Sequence, residues 1–331
     1  MSLGSDIEVP WLAPQLEQLR RAHASSRFPS ALLIHDQRGA GGEWLARYAA
    51  QLALCHGQPA PCGRCRDCRQ FLTSQHPDFY ALAPLEESKQ IRVEQVRELS
   101  EQLALTSHGG GASVAVIAPA DALNDNAANA LLKTLEEPRP GVTLILVATV
   151  PSRLPATILS RCQRLRIATP PRALSLAWLE RHRGAGPWSA VLEVIGDAPF
   201  EALRFDPLEV ERLAEDTFQA LAALMAGRLE VPGLAERWTR GESFELRLAC
   251  LETWLTACVD RAAGAPRQSQ ELRNSAHLPE SVSDMNMTGL LRLLDGAYEL
   301  RRLRLKPINR SLALEQLLWQ LPRVRRSVAA S

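Results

Sequence analysis

Over the first half of the chain, short apolar runs alternate with longer stretches in which apolar residues recur every three or four positions. Ala31–Ile34, the end of His76–Ala83, Ser113–Ile117, Val142–Val147 and Arg164–Ala168 predict strands. Val142–Val147, almost wholly apolar, suits a strand covered on both faces. Between the strands lie helical patterns. Leu12–Ala24 carries Leu12, Leu16, Leu19 and Ala22 on one side, and Glu43–Leu54 follows a glycine-rich turn. Ile91–Leu105 turns Ile91, Val96, Leu99 and Leu103 inward, and Asn129–Glu137 carries Ala130, Leu131, Leu132 and Leu135. Pro138 and Pro140 stop that helix and Gly141 permits the turn after it. A short helix, Ile158–Cys162, precedes the last strand. The alternation predicts an α/β core.

Beyond Pro170-Pro171 the strands cease. Residues 170–207 read as short helices, with turns at Gly184–Pro187 and Gly196–Pro199, and Pro207 is a second boundary. From there the pattern is helical: Leu208–Leu229, Leu234–Arg240, Phe244–Ala263, Met287–Lys306 and Ser311–Trp319, with a polar loop over Ala265–Asp284. The expected domains are therefore 1–167, 168–207 and 208–331. Arg301, Arg302, Arg304, Lys306 and Arg310 form a local basic run, read as a solvated helix face.

The bulk numbers narrow the class. With 46% hydrophobic and 23% charged residues, the 331-residue chain has ordinary globular composition. Its net charge of +1 provides no global field for nucleic acid. No run is long enough for a membrane span, and Met1–Pro10 lacks a signal-peptide pattern, so a cytoplasmic protein without membrane partners is expected. In that reducing setting the seven cysteines point to metal or free thiols. Cys55, Cys62, Cys65 and Cys68 are spaced C-x6-C-x2-C-x2-C. Four soft thiolates so close together match one tetrahedral zinc, and four protein ligands make such a site structural. His56 and His76 are rival ligands for which an all-cysteine site leaves no vacancy; Cys162, Cys250 and Cys258 stand apart.

The turn Asp36-Gln-Arg-Gly-Ala-Gly-Gly42, set between strand and helix, has the layout of a phosphate-binding loop. Its chemistry does not fit. Against G-x-x-x-x-G-K-[ST], aligned on Gly39 and Gly41, the first glycine is Asp36, the lysine is Gly42 and the hydroxyl residue is Glu43. The phosphate-binding lysine and the magnesium ligand are both missing, and two carboxylates stand where a polyanion would sit. No ATP is expected there.

Ala130-Leu-Leu-Lys-Thr-Leu-Glu-Glu-Pro138 and Ile158-Leu-Ser-Arg-Cys162 closely resemble the clamp-loader branch of the AAA+ ATPases. The resemblance is strong over 28–168 and weaker beyond. It implies a P-loop-type core with a parallel sheet, a small helical lid and a C-terminal all-α collar. It also implies that Arg161 acts as an arginine finger in the ATP site of a neighbouring subunit. Where active members carry the acid pair Asp-Glu, this chain has Ala118 and Pro119, and Asp121 lies further on. Thr149 falls at the sensor position, with packing as its expected role. The implied protein is an ATPase-inactive ring subunit of the DNA polymerase III clamp loader. Its partners would be the ATPase subunit (gamma or tau) and delta, and through the ring the sliding clamp and primed DNA. Two alternatives stay open: an atypical ATPase using Asp36, Glu43 and Asp121, and a zinc DNA-binding module using Arg64, Arg66 and Arg69.

Overall fold

The computed structural model describes residues 7–85, 88–107, 111–240, 243–264, 285–303 and 309–324. The expected loop over 265–284 and the basic residues Arg304 and Lys306 lie outside the described residues. The chain divides into two compact units: 1–178 with 198–200, and 179–197 with 201–331.

Unit 1 alternates helix and strand: α1 (Ala13–Ala24), β1 (Ala31–His35), α2 (Gly42–Leu54), α3 (Arg66–Leu72), β2 (Phe79–Leu82), α4 (Val93–Ala104), β3 (Ser113–Ile117), α5 (Asp125–Glu136), β4 (Val142–Ala148), α6 (Ala156–Leu159) and β5 (Gln163–Arg166). The strands form one parallel sheet in the order β2-β3-β4-β1-β5. All seven residues of β4 are buried, as an apolar strand between two neighbours requires. On one side, Ile91, Val96, Leu99 and Leu103 of the α4 region and Leu131 and Leu135 of α5 close over Ala115, Leu144 and Leu146 of the sheet. Asn124 caps α5 by accepting the Ala127 N–H at 2.8 Å, worth about 1 kcal/mol. Ahead of α4 the Ile91 N–H donates to the Ala122 carbonyl at 2.8 Å, and at the cap the Arg92 N–H donates to Gln95 Oε1 at 3.0 Å.

The first helix of the predicted lid, α7 (Arg172–Arg183), runs across the division between the units. Then come α8 (Trp188–Ile195), α9 (Pro199–Ala202), α10 (Pro207–Met225), α11 (Val231–Thr239), α12 (Phe244–Ala262), α13 (Met287–Leu303) and α14 (Arg310–Leu318). In unit 2, α12 packs on α10 and α13, and α11 on α14, around buried Trp238, Leu248 and Trp254. Arg301 joins α13 to Glu252 of α12 at 2.6 Å. Helix α10 ends at Met225, short of the expected Leu229: Gly227, with φ +70°, terminates it in the left-handed conformation glycine favours. Among the described residues no helix is long and apolar enough to cross a membrane.

Candidate metal centre, phosphate-loop remnant and arginine site

Cys55 directly follows α2, and Cys65 caps α3, whose first turn carries Cys68. Helix α3 was missed in the sequence: seven residues are too short for a periodic signal, and a thiol is an unusual cap. All four Sγ atoms lie within 4.8 Å of one another. Thiolates about 2.3 Å from a tetrahedral zinc sit about 3.8 Å apart, so the cluster fits one ion. The backbone is arranged to receive negative sulfur. Gly57 and Cys62 donate N–H groups to Cys55 Sγ, Cys65 to Cys62 Sγ and Cys68 to Cys65 Sγ, each at 3.3 Å. Two glycines make this possible: Gly63 turns with φ +67°, and a Cβ on Gly57 would lie 2.5 Å from Cys62 Sγ. The donors from Cys65 and Arg64 hold the Cys62 thiol down to about 6, while burial pushes Cys55 and Cys68 up. A cation would supply the charge that draws protons from the buried pair. Cys162, Cys250 and Cys258 are buried and outside the cluster.

The loop after β1 lies at the carboxyl end of the sheet, where ligands of parallel sheets bind. Here it is closed. The Trp11 indole N–H donates to the Ala40 carbonyl at 2.7 Å, and the Phe200 backbone N–H donates to Gly39 at 3.0 Å. The Phe200 ring lies against Gly41, where a Cβ would meet Cε2 at 2.5 Å. It packs tilted on Trp178, with ring centroids 4.9 Å apart, and edge-on to Trp11 at 6.2 Å. Phe200 comes from a distant part of the sequence and gave no signal there.

Asp36, only 7% exposed, puts its carboxyl at the N-terminus of α2, where it accepts the Gly42 N–H. A Cβ on Gly42 would be 2.6 Å from that carboxyl. Burial, opposed by the Gly42 N–H and aided by Glu43, pushes Asp36 up to about 7. Both loop carboxylates stand at the start of α2, Asp36 buried and Glu43 exposed in the first turn. After β3 come Ala118 and Pro119, then a 3-10 turn over Ala120–Ala122. Asp121 in that turn accepts from the Thr149 hydroxyl at 3.2 Å and from its N–H at 3.3 Å. Thr149 is exposed and polar-bonded rather than packed, which corrects the expected role.

Arg161 lies just beyond α6, after the Pro155 that caps this helix. Its guanidinium bonds Glu136 at 2.7 Å through Nη2, and Thr157 O at 3.0 Å through Nη1. The side chain remains 35% exposed. Arg153, in the preceding 3-10 turn, is exposed.

The profile of a family described as "DNA polymerase III, delta subunit" matches residues 12–171. DNA polymerase III subunit delta' of Escherichia coli K12 is 32% identical over 319 residues, 94% of each chain. The chain belongs to the delta-prime family. The delta-prime subunit of Pseudomonas aeruginosa is 36% identical over 236 residues, 69% of this chain and 70% of that one. A solved gamma-subunit-related protein of DNA polymerase III from Thermotoga maritima covers 94% of this delta-prime chain and 100% of its own, at 17% identity and a TM-score of 0.47.

Proposed function

We propose that this delta-prime chain is an ATPase-inactive ring member that lends Arg161 to the ATP site of a neighbouring ATPase subunit. The observation that carries the first half is the closed loop. The carbonyls of Gly39 and Ala40 are hydrogen-bonded, Phe200 covers Gly41, and the Asp36 carboxyl holds the helix N-terminus that a phosphate would need. No lysine follows Gly41, and Ala118-Pro119 leaves no acid pair for magnesium or water. Such a chain neither binds nor hydrolyses ATP.

The second half rests on Arg161, held on two sides yet part-exposed on a rigid scaffold. A guanidinium is always charged and can bridge two phosphate oxygens, which suits it to charge developing on a transferring phosphoryl group. Its partners in this reading are gamma or tau, which provides the ATP, and delta, and the ring loads the sliding clamp onto primed DNA. Residues 1–167 form the AAA+-like core, 168–207 the lid and 208–331 the collar that joins subunits. The protein works in the cytoplasm. Cys55, Cys62, Cys65 and Cys68 hold one structural zinc, which leaves no open coordination position and supplies charge and cross-linking rather than chemistry.

Calorimetric titration of the isolated chain with magnesium ATP tests the inactive loop. No binding heat is expected up to millimolar nucleotide, and micromolar affinity would overturn the reading.

A further inference from the structure

The metal loop is tied to the core by a polar link that includes none of the thiols. Asp67 stands between Cys65 and Cys68 in the first turn of α3. Its Oδ2 lies 3.1 Å from His56 Nδ1, and its Oδ1 lies 3.4 Å from His76 Nε2. The protonation of His76 follows from its other nitrogen. Nδ1 accepts the Asp78 backbone N–H at 3.1 Å, so the ring proton sits on Nε2, which lies near Asp67 without making a hydrogen bond to it. The His76 side chain is 4% exposed and leads into β2; that of His56 is 62% exposed and follows Cys55. The His56 ring rests on Gly111, where a Cβ would lie 3.0 Å from it, just before β3. The carboxylate therefore joins the Cys55 end of the ligand run to the Cys68 end. It also lies beside His76, which leads into β2, while the His56 ring lies beside Gly111 ahead of β3. Phe71 of α3, edge-on to Phe79 of β2 with centroids 4.8 Å apart, completes the dock.

We propose that Asp67 is a positioning residue for the metal. Through its hydrogen bond to His56, with His76 alongside, it closes the ligand run outside the thiols, so the four sulfurs are gathered before an ion binds and the bound ion leaves slowly. Ordering the loop in advance removes closure entropy from the binding step. Partners of this outer kind are worth about 10–100-fold in metal affinity. The proposal rests on the zinc reading above.

The purified full-length chain, loaded with zinc and freed of excess, is assayed for metal content and then mixed with a chromophoric chelator. Wild type is expected to carry one zinc per chain; a content near zero removes the zinc reading and this inference with it. With zinc present, D67A should release it about tenfold faster. H56A should match D67A, and the double variant should be no faster than either, because all three break the same link. H56A removes only the exposed donor and leaves no buried vacancy, so it keeps the test open if D67A folds poorly. Its release should be faster by about tenfold, at the low end of that range. Cobalt-substituted D67A should keep the wild-type thiolate absorption, since no ligand changes. If zinc-loaded D67A releases metal at the wild-type rate, or D67A and H56A effects multiply, Asp67 does not position the metal although the zinc site stands.

Discussion

Asp36→Asn should stabilise the protein by an amount that grows with pH. Burial raises the folded-state pKa from 3.8 to about 7. In the unfolded chain the group ionises at its ordinary value. Stability from the neutral carboxyl is therefore fully present below that value and is lost as the pH climbs through about 7. The full loss is about 4 kcal/mol, of which about 3 falls between pH 5 and pH 8. Asparagine matches the shape, can still accept the Gly42 N–H, and carries no charge to bury. Its buried amide adds a constant offset that does not vary with pH. Urea unfolding of both proteins side by side, at pH 5 and pH 8, reads the gap between them; titrations shared by the two cancel. The gap should shift in favour of Asn by about 3 kcal/mol over that range. A gap independent of pH would mean that Asp36 is ionised throughout, with its charge compensated, and the account of this carboxyl as a buried occupant of the anion position would fail.

Two further outcomes follow from the same geometry. Cys65→Ser should abolish stoichiometric zinc in metal analysis, whereas Cys250→Ala, in α12, should retain it; equal loss in both would refute the assigned ligands. Phe200→Ala removes a ring packed on Trp178 and should lower unfolding stability by about 2 kcal/mol, read by urea titration, without creating ATP binding. Recovery of nucleotide affinity in that variant would show that the ring, and not the lost lysine and acids, keeps ATP out.

How much was legible in the sequence depended on how local each signal is. The five strands and most helices announced themselves because burial on a sheet imposes apolar runs and helical spacing on adjacent residues. The four clustered cysteines were legible for the same reason, lying within one short run. Helix α3 was not, since its seven residues sit among ligands and its cap is a thiol. The degraded phosphate loop was read from Gly42 and Glu43, but its closure was invisible: Phe200 and Trp11 reach Gly39 and Ala40 across the fold. His76 was read only as structural, and its approach to Asp67 needed coordinates because the two residues belong to different segments. Thr149 was expected to pack; its bond to Asp121 spans 28 positions, beyond any local pattern.

The account stands or falls on Arg161. The decisive measurement is DNA- and clamp-stimulated ATP turnover by the reconstituted ring carrying Arg161→Ala, with Arg153→Ala as the control. The variant chain should fold, retain zinc and assemble, because the guanidinium is part-exposed and its bond to Glu136 is a surface pair worth under about 1 kcal/mol. Hydrolysis at the one interface this chain completes should fall by about 1,000-fold, and total turnover only in part, since the remaining ATP sites keep their own fingers. Arg153→Ala should leave turnover near wild type. A ring with Arg161→Ala that assembles normally, hydrolyses ATP and loads clamps at the wild-type rate would contradict the account, leaving Arg161 as a surface arginine paired with Glu136.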